Sequence, residues 1–107
     1  MRILTRGPGP HTDVAVDQAL VTIGGTQYDT EARQGESEQI IDLRSDDTGA
    51  ISEGGDGHQV ASIRIPPYRT EEVDTGETDE DGNPVIERQR LPINPDQVVI
   101  TLWTLKR

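Results

Sequence analysis

Apolar and polar residues alternate with a period of two over several short stretches of this chain, the spacing of half-buried β-strands. Residues 12–23 read as strand: Val14 and Val16 alternate with Asp13 and Asp17, and Val21 and Ile23 flank Thr22. Gly24-Gly25 is a turn pair, because glycine reaches positive φ freely, and residues 26–30 return as the partner strand. Residues 31–39 are polar and hold at most a short helical turn. Gln39 to Leu43 is a short apolar strand, and residues 45–57, rich in Asp, Gly and Ser, read as loop. Gln59 to Ile65 alternates cleanly, with Ala61, Ile63 and Ile65 on one face and Val60, Ser62 and Arg64 on the other. Pro66-Pro67 stops it.

The two ends of the chain differ from this middle. Residues 1–5 form a short strand or arm, set off by Gly7-Pro8-Gly9-Pro10, where two prolines withhold backbone donors. Such an arm either lies on its own body or reaches a neighbour. Near the other end, Asn94-Pro95-Asp96 turns the chain into a strand from Gln97 to Leu105. Val98, Ile100 and Leu102 occupy one face of it, and Val99, Trp103 and Leu105 the other. Apolar residues on both faces predict a strand covered on both sides.

Residues 70–91 are the most legible element. Asp79-Glu80-Asp81-Gly82-Asn83-Pro84 is turn chemistry between two long polar runs, Thr70 to Thr78 and Val85 to Leu91. This is a long β-hairpin. Only Val73, Val85, Ile86 and Leu91 are apolar in it. With so little to bury it is marginal alone, so it either projects into solvent or lies on another subunit. No stretch shows sustained helical periodicity. The expected fold is all-β: an antiparallel sandwich, jelly-roll-like, or a small barrel, with a protruding hairpin. The expected organisation is an N-terminal arm and joint over residues 1–10 and a single β domain over 11–107.

Composition narrows the picture. Leu, Ile, Val and Phe together make 24 of the 107 residues, and Trp103, Tyr28 and Tyr68 are the aromatic residues. That is a thin core for a domain whose size already limits burial, so contacts with neighbouring subunits are expected to add stability. With no Cys, disulfides and thiolate metal sites are excluded. Twenty acids against ten bases leave a net charge of −10, which repels nucleic acid and anionic membrane. The acids cluster: residues 29–58 hold nine against two Arg, and residues 70–87 hold eight with no base. Nine of the ten bases are Arg. The acid excess, the abundance of Thr and Val, the few aromatics and the single Lys resemble proteins of salt-loving archaea, in which high salt screens such repulsion. A GC-rich genome alone would also favour Arg over Lys.

Three patterns invite a chemical reading. Asp-Thr-Gly occurs at 47–49 and at 74–76 and resembles the tripeptide of retroviral-type aspartic proteases, in which two Asp share a proton across a dimer. Leu20-Val21-Thr22-Ile23-Gly24-Gly25 also resembles an early strand of that family. The family's Asp follows an apolar strand, however, whereas Asp47 follows Arg44-Ser45-Asp46 and Asp74 follows Glu71-Glu72-Val73. The family's later apolar-apolar-Gly motif is absent. Glu77, Asp79, Asp81 and Gly82 have part of the spacing of a calcium loop, but Arg88 stands where the closing Glu belongs. Gly54-Gly55-Asp56-Gly57-His58 is glycine-rich without the Lys or following helix of a phosphate loop. His11 and His58 are the only imidazoles. No residue is therefore assigned a catalytic, cofactor-binding or metal-binding role, and the chain is not expected to be an enzyme.

The basic arm before Gly7-Pro8-Gly9-Pro10, the acidic hairpin with its Asp-Gly-Asn-Pro turn and the two-faced last strand together resemble small all-β virion proteins of tailed phages and haloarchaeal tailed viruses. The resemblance extends over the whole chain as a matter of style and carries no diagnostic motif. It implies a capsid decoration, turret or tail-associated subunit, made in the host cytoplasm and carried on the virion. Such a subunit forms a symmetric homo-oligomer and docks on other virion proteins, without nucleic acid, membrane or cofactor. Its contact residues would be Ile3, Leu4, Val99, Trp103 and Leu105, an aromatic anchor among aliphatic neighbours. The alternative is a cellular β-sandwich binding or adaptor module.

Overall fold

Ten strands, short turns and one 3-10 turn make up the computed structural model, which describes residues 1–105. Five strands form one sheet in the order β1 (Arg2–Arg6), β10 (Val99–Trp103), β7 (His58–Ile65), β5 (Gln39–Ser45), β6 (Ile51–Glu53). Three consecutive strands, β2 (Val14–Asp17), β3 (Leu20–Ile23) and β4 (Thr26–Asp29), form a second sheet as a meander. The remaining two, β8 (Thr70–Thr78) and β9 (Pro84–Arg90), pair only with each other. The protein is thus all-β, and among the described residues every strand pair but one is antiparallel. The exception is β1, which runs parallel to β10. The barrel alternative is not realised, because β1 and β6 end the large sheet without meeting.

Alternation places the core. In the large sheet Ile100, Ile63 and Ile41 lie side by side across three strands, and Leu102, Ala61 and Leu43 form the next row. All six are buried. They pack in one cluster with Val21, Ile23 and Tyr28 of the meander, so the two sheets share a single hydrophobic core. Burial pushes the Tyr28 phenol above its ordinary pKa, reinforced by the negative charge of Glu53. A register shift between Leu43 and Arg44 lets both Val60 and Ala61 turn inward, which no strict alternation permits. Val60, expected on the opposite face from Ala61, is therefore a core residue.

Three local readings change. Residues 12–23 are two strands rather than one, because the chain reverses at Gln18-Ala19 and pairs Asp17 with Leu20. Gln18 carries φ 53°, an uncommon conformation for a non-glycine residue, and no Gly or Asn marks the turn in the sequence. The following turn has the expected glycines, with Gly24 and Gly25 both at positive φ (58° and 83°). Residues 51–53, expected in a loop, form the edge strand β6. The last strand is shorter than the 97–105 expected, because Pro95–Gln97 form a 3-10 turn capped by the Asn94 side chain.

The hairpin dominates the shape. The protein measures 68 × 23 × 19 Å with a radius of gyration of 18.9 Å. A compact chain of this length would have a radius of gyration of about 13 Å. Nine strand residues reach about 30 Å, too long to lie comfortably across the narrow directions, so β8–β9 extends along the long axis. Prolines stand at both feet, Pro66-Pro67 on one side and Pro92 on the other. The base is tied down: Tyr68 N–H donates to Gly35 O at 3.0 Å, Leu91 N–H to Arg69 O at 2.8 Å, and Ile93 N–H to the Glu31 carboxylate at 3.0 Å. The Arg90 guanidinium lies 4.1 Å from the Tyr68 ring centre, a cation–π contact at the same joint. Beyond it Val73, Thr75 and Val85 are half-buried, and every other residue of the two strands is exposed.

Candidate functional site

The first Asp-Thr-Gly and the calcium-loop spacing fold into the same five-residue loop. Asp46-Asp47-Thr48-Gly49-Ala50 joins β5 to β6, and Asp79-Glu80-Asp81-Gly82-Asn83 joins β8 to β9. In each, the first Asp exchanges main-chain bonds with the fifth and fourth residues. Asp46 N–H donates to Ala50 O and Gly49 N–H to Asp46 O, both at 3.0 Å. Asp79 N–H donates to Asn83 O at 2.9 Å and Gly82 N–H to Asp79 O at 3.0 Å. In each, one carboxylate oxygen of that Asp accepts the amides of the third and fifth residues. In each, the fourth residue is a glycine at φ 80–87°. The shared pattern Asp-x-x-Gly-x is a loop-closing device. The hydroxyl and amide of Thr48 hold the Asp46 carboxyl below its ordinary pKa.

The second Asp-Thr-Gly makes a different irregularity. Asp74 accepts the Gly76 amide at 2.9 Å, Gly76 takes φ 81°, and the pairing of β8 with β9 slips between Asp74 and Thr78. One tripeptide thus lies in a loop of the body and the other in a bulge of the hairpin. Replacing Gly49 or Gly82 by Ala puts a Cβ into a left-handed conformation, at a cost of about 1 kcal/mol. Gly49→Ala is expected to lower the melting temperature of the body. Gly82→Ala is expected to leave melting unchanged and to speed amide exchange at the hairpin tip, as read by hydrogen-exchange mass spectrometry.

A shallow cleft of about 430 Å³ opens beside the first loop, between it and the turn that enters β7. Asp46, Asp47, Thr48, Asp56, Gly57 and His58 line it. Two of its titratable groups are occupied by structure. Asp46 closes its own loop, and the His58 Nε2 lies 2.8 Å from Thr104 O, which requires the proton on that nitrogen. Ser45 is the register partner of His58, with no hydrogen bond joining their side chains. Among the described residues, no three carboxylate or imidazole groups converge as metal ligands would.

The other candidate is the outer face of the large sheet. Leu4 of β1 and Val99 and Trp103 of β10 lie on it, with Thr101 and Ser62 between them. All five are half-buried. These are three of the five residues expected to make contacts. Ile3 faces the other way, in register with Ile100 at the sheet edge, and is 48% exposed. Leu105 packs against the core cluster, and its N–H donates to Pro10 O at 2.8 Å. The same outer face holds a polar network in which Asp42 accepts from Arg44 at 2.8 Å and from Gln59 at 2.7 Å. Arg44 also donates to Gly57 O at 3.1 Å, bridging the register shift between β5 and β7. Sequence reasoning passed over Ile40, which is 58% exposed on this face. Strict alternation beside the buried Ile41 was the available signal.

In comparisons with protein-family models, curated proteins and solved structures, nothing matches this chain.

Proposed function

We propose that this protein is a non-enzymatic assembly subunit: a β-sandwich body that docks through its strands while a long acidic hairpin reaches away from it. The observation that carries this reading is the hairpin. Sixteen strand residues pair only with each other and bury little of their own chain. An isolated two-stranded hairpin is marginal in water, and most of this one lacks support from its own body. A partner surface supplies the missing burial. The half-buried outer face with Leu4, Val99 and Trp103 offers a second area of contact, with an aromatic anchor of the kind that centres interfaces. The particle this style of protein suits best is that of a tailed virus, where the body decorates capsid or tail and the acidic loops face the medium.

Mass measured by light scattering in molar salt tests the reading. A defined oligomer supports it. A monomer at all concentrations, binding a soluble ligand, supports the cellular adaptor module instead.

Charge supplies a separate expectation. With −10 net charge and acids crowded into residues 29–58 and 70–87, self-repulsion opposes the compact state. The screening length falls from about 30 Å at 0.01 M salt to about 3 Å at 1 M. The unfolding midpoint is therefore expected to rise steadily with salt into the molar range. Equal stability in dilute and concentrated salt would contradict a protein adapted to brine.

A further inference from the structure

We propose that the open edge of β1 in one copy receives strand β8 of a second copy's hairpin, continuing the five-stranded sheet across the contact. This rests on the assembly reading and names its partner as a second copy of the same chain.

Both edges have free backbone groups. Arg2 N–H donates to Val98 O at 2.9 Å. In a parallel pair the direction of these groups alternates, so the amides and carbonyls of Ile3 and Thr5 point away from β10. On the hairpin, Leu91 N–H donates to Arg69 O. The same alternation then turns the backbone groups of Thr70, Glu72 and Asp74 away from β9.

Side chains decide which edges can meet. Charged edges ordinarily prevent aggregation, and here each edge is charged with one sign. Strand β1 carries Arg2 and Arg6, both exposed, and no acid. Strand β8 carries Glu71, Glu72, Asp74 and Glu77, all exposed, and no base. Two β1 edges repel each other, and so do two β8 edges, whereas β1 and β8 attract. In the antiparallel register that sets Ile3 opposite Asp74 and Thr5 opposite Glu72, the free backbone groups of both strands meet. The same register brings Leu4 to Val73 and Arg6 to Glu71. It also covers Ile3, which lies 48% exposed at the rim of the core.

Charge reversal tests the contact. Arg6→Glu and Glu71→Arg are each expected to weaken self-association about tenfold while leaving the melting temperature of the diluted monomer unshifted, since both side chains are exposed. An equimolar mixture of the two variants, and the double variant Arg6→Glu/Glu71→Arg, are expected to restore association. If the wild type is oligomeric and neither reversal alters its mass, the proposed contact is wrong while the assembly reading stands. If the wild type is monomeric at every concentration and salt, both fall.

Discussion

Ile63→Ala is expected to leave the protein largely unfolded at room temperature in dilute buffer. Ile63 is fully buried at the middle of the large sheet, in register with Ile100 on one side and Ile41 on the other. It belongs to the single core that the meander's Val21 and Ile23 close from the opposite layer. Truncating an Ile at such a site costs about 2–5 kcal/mol, the lost transfer energy plus the cavity left behind. Small domains hold about 5–15 kcal/mol in total, and a chain with no Phe and one Trp lies at the low end. The contrast is Ile86→Ala. Ile86 is as apolar but half exposed on the hairpin, and its loss should change stability by less than about 0.5 kcal/mol. Denaturant titration of the two variants in molar salt measures both. Similar losses would mean that the hairpin belongs to the cooperative core.

Gly57→Ala should be nearly as damaging, for a reason of backbone rather than burial. A Cβ built on Gly57 would stand 2.0 Å from Ser45 O and 2.8 Å from Ser45 C. Those are main-chain atoms of β5 at the point where Ser45 pairs with His58, so no side chain can swing aside. Strands β5 and β7 must separate there. Their separation disturbs the Arg44 bond to Gly57 O and the cleft beside it. Overpacking of this kind costs about 1–3 kcal/mol. Gly55→Ala is a fitting control. Its Cβ would meet nothing within 4 Å, although its φ of 94° brings its own strain. Thermal melts should rank Gly57→Ala well below Gly55→Ala, and the reverse order would contradict the clash.

The strands were legible wherever one face alone is buried. Residues 61–65 could be read from alternation, because side-chain period and solvent exposure agree there, and the hairpin from the turn residues between its two polar runs; Val60, expected on the opposite face, is buried beside Ala61 at the register shift. Legibility failed where the signal is not local. Gln18 turns the chain without glycine or asparagine, at the cost of an unusual φ, because β2 and β3 gain by pairing. Strand β6 hides in Ile51-Ser52-Glu53, too short for any period to register, and exists because Asp46 closes the loop that folds it back on β5. The parallel course of β1 beside β10 joins residues nearly a hundred positions apart, and no periodicity encodes it. Among the chemical patterns, the sequence showed Asp-Thr-Gly twice as one motif. The structure separates the two copies and instead equates Asp46–Ala50 with Asp79–Asn83, whose likeness lies in Asp and Gly three apart.

The central claim is that the hairpin serves assembly and not the fold of the body. Replacing residues 70–90 by Asn-Gly tests it most directly, since Arg69 and Leu91 already pair at the base and suit a two-residue turn. Light scattering and a thermal melt of this shortened chain, in molar salt beside the full protein, give the answer. The expected result is a body that still melts cooperatively, at the temperature of the full chain once both are diluted to monomers, and a mass that falls to that of the monomer. A shortened chain that assembles as the full chain does, or one with no cooperative melt, would contradict it.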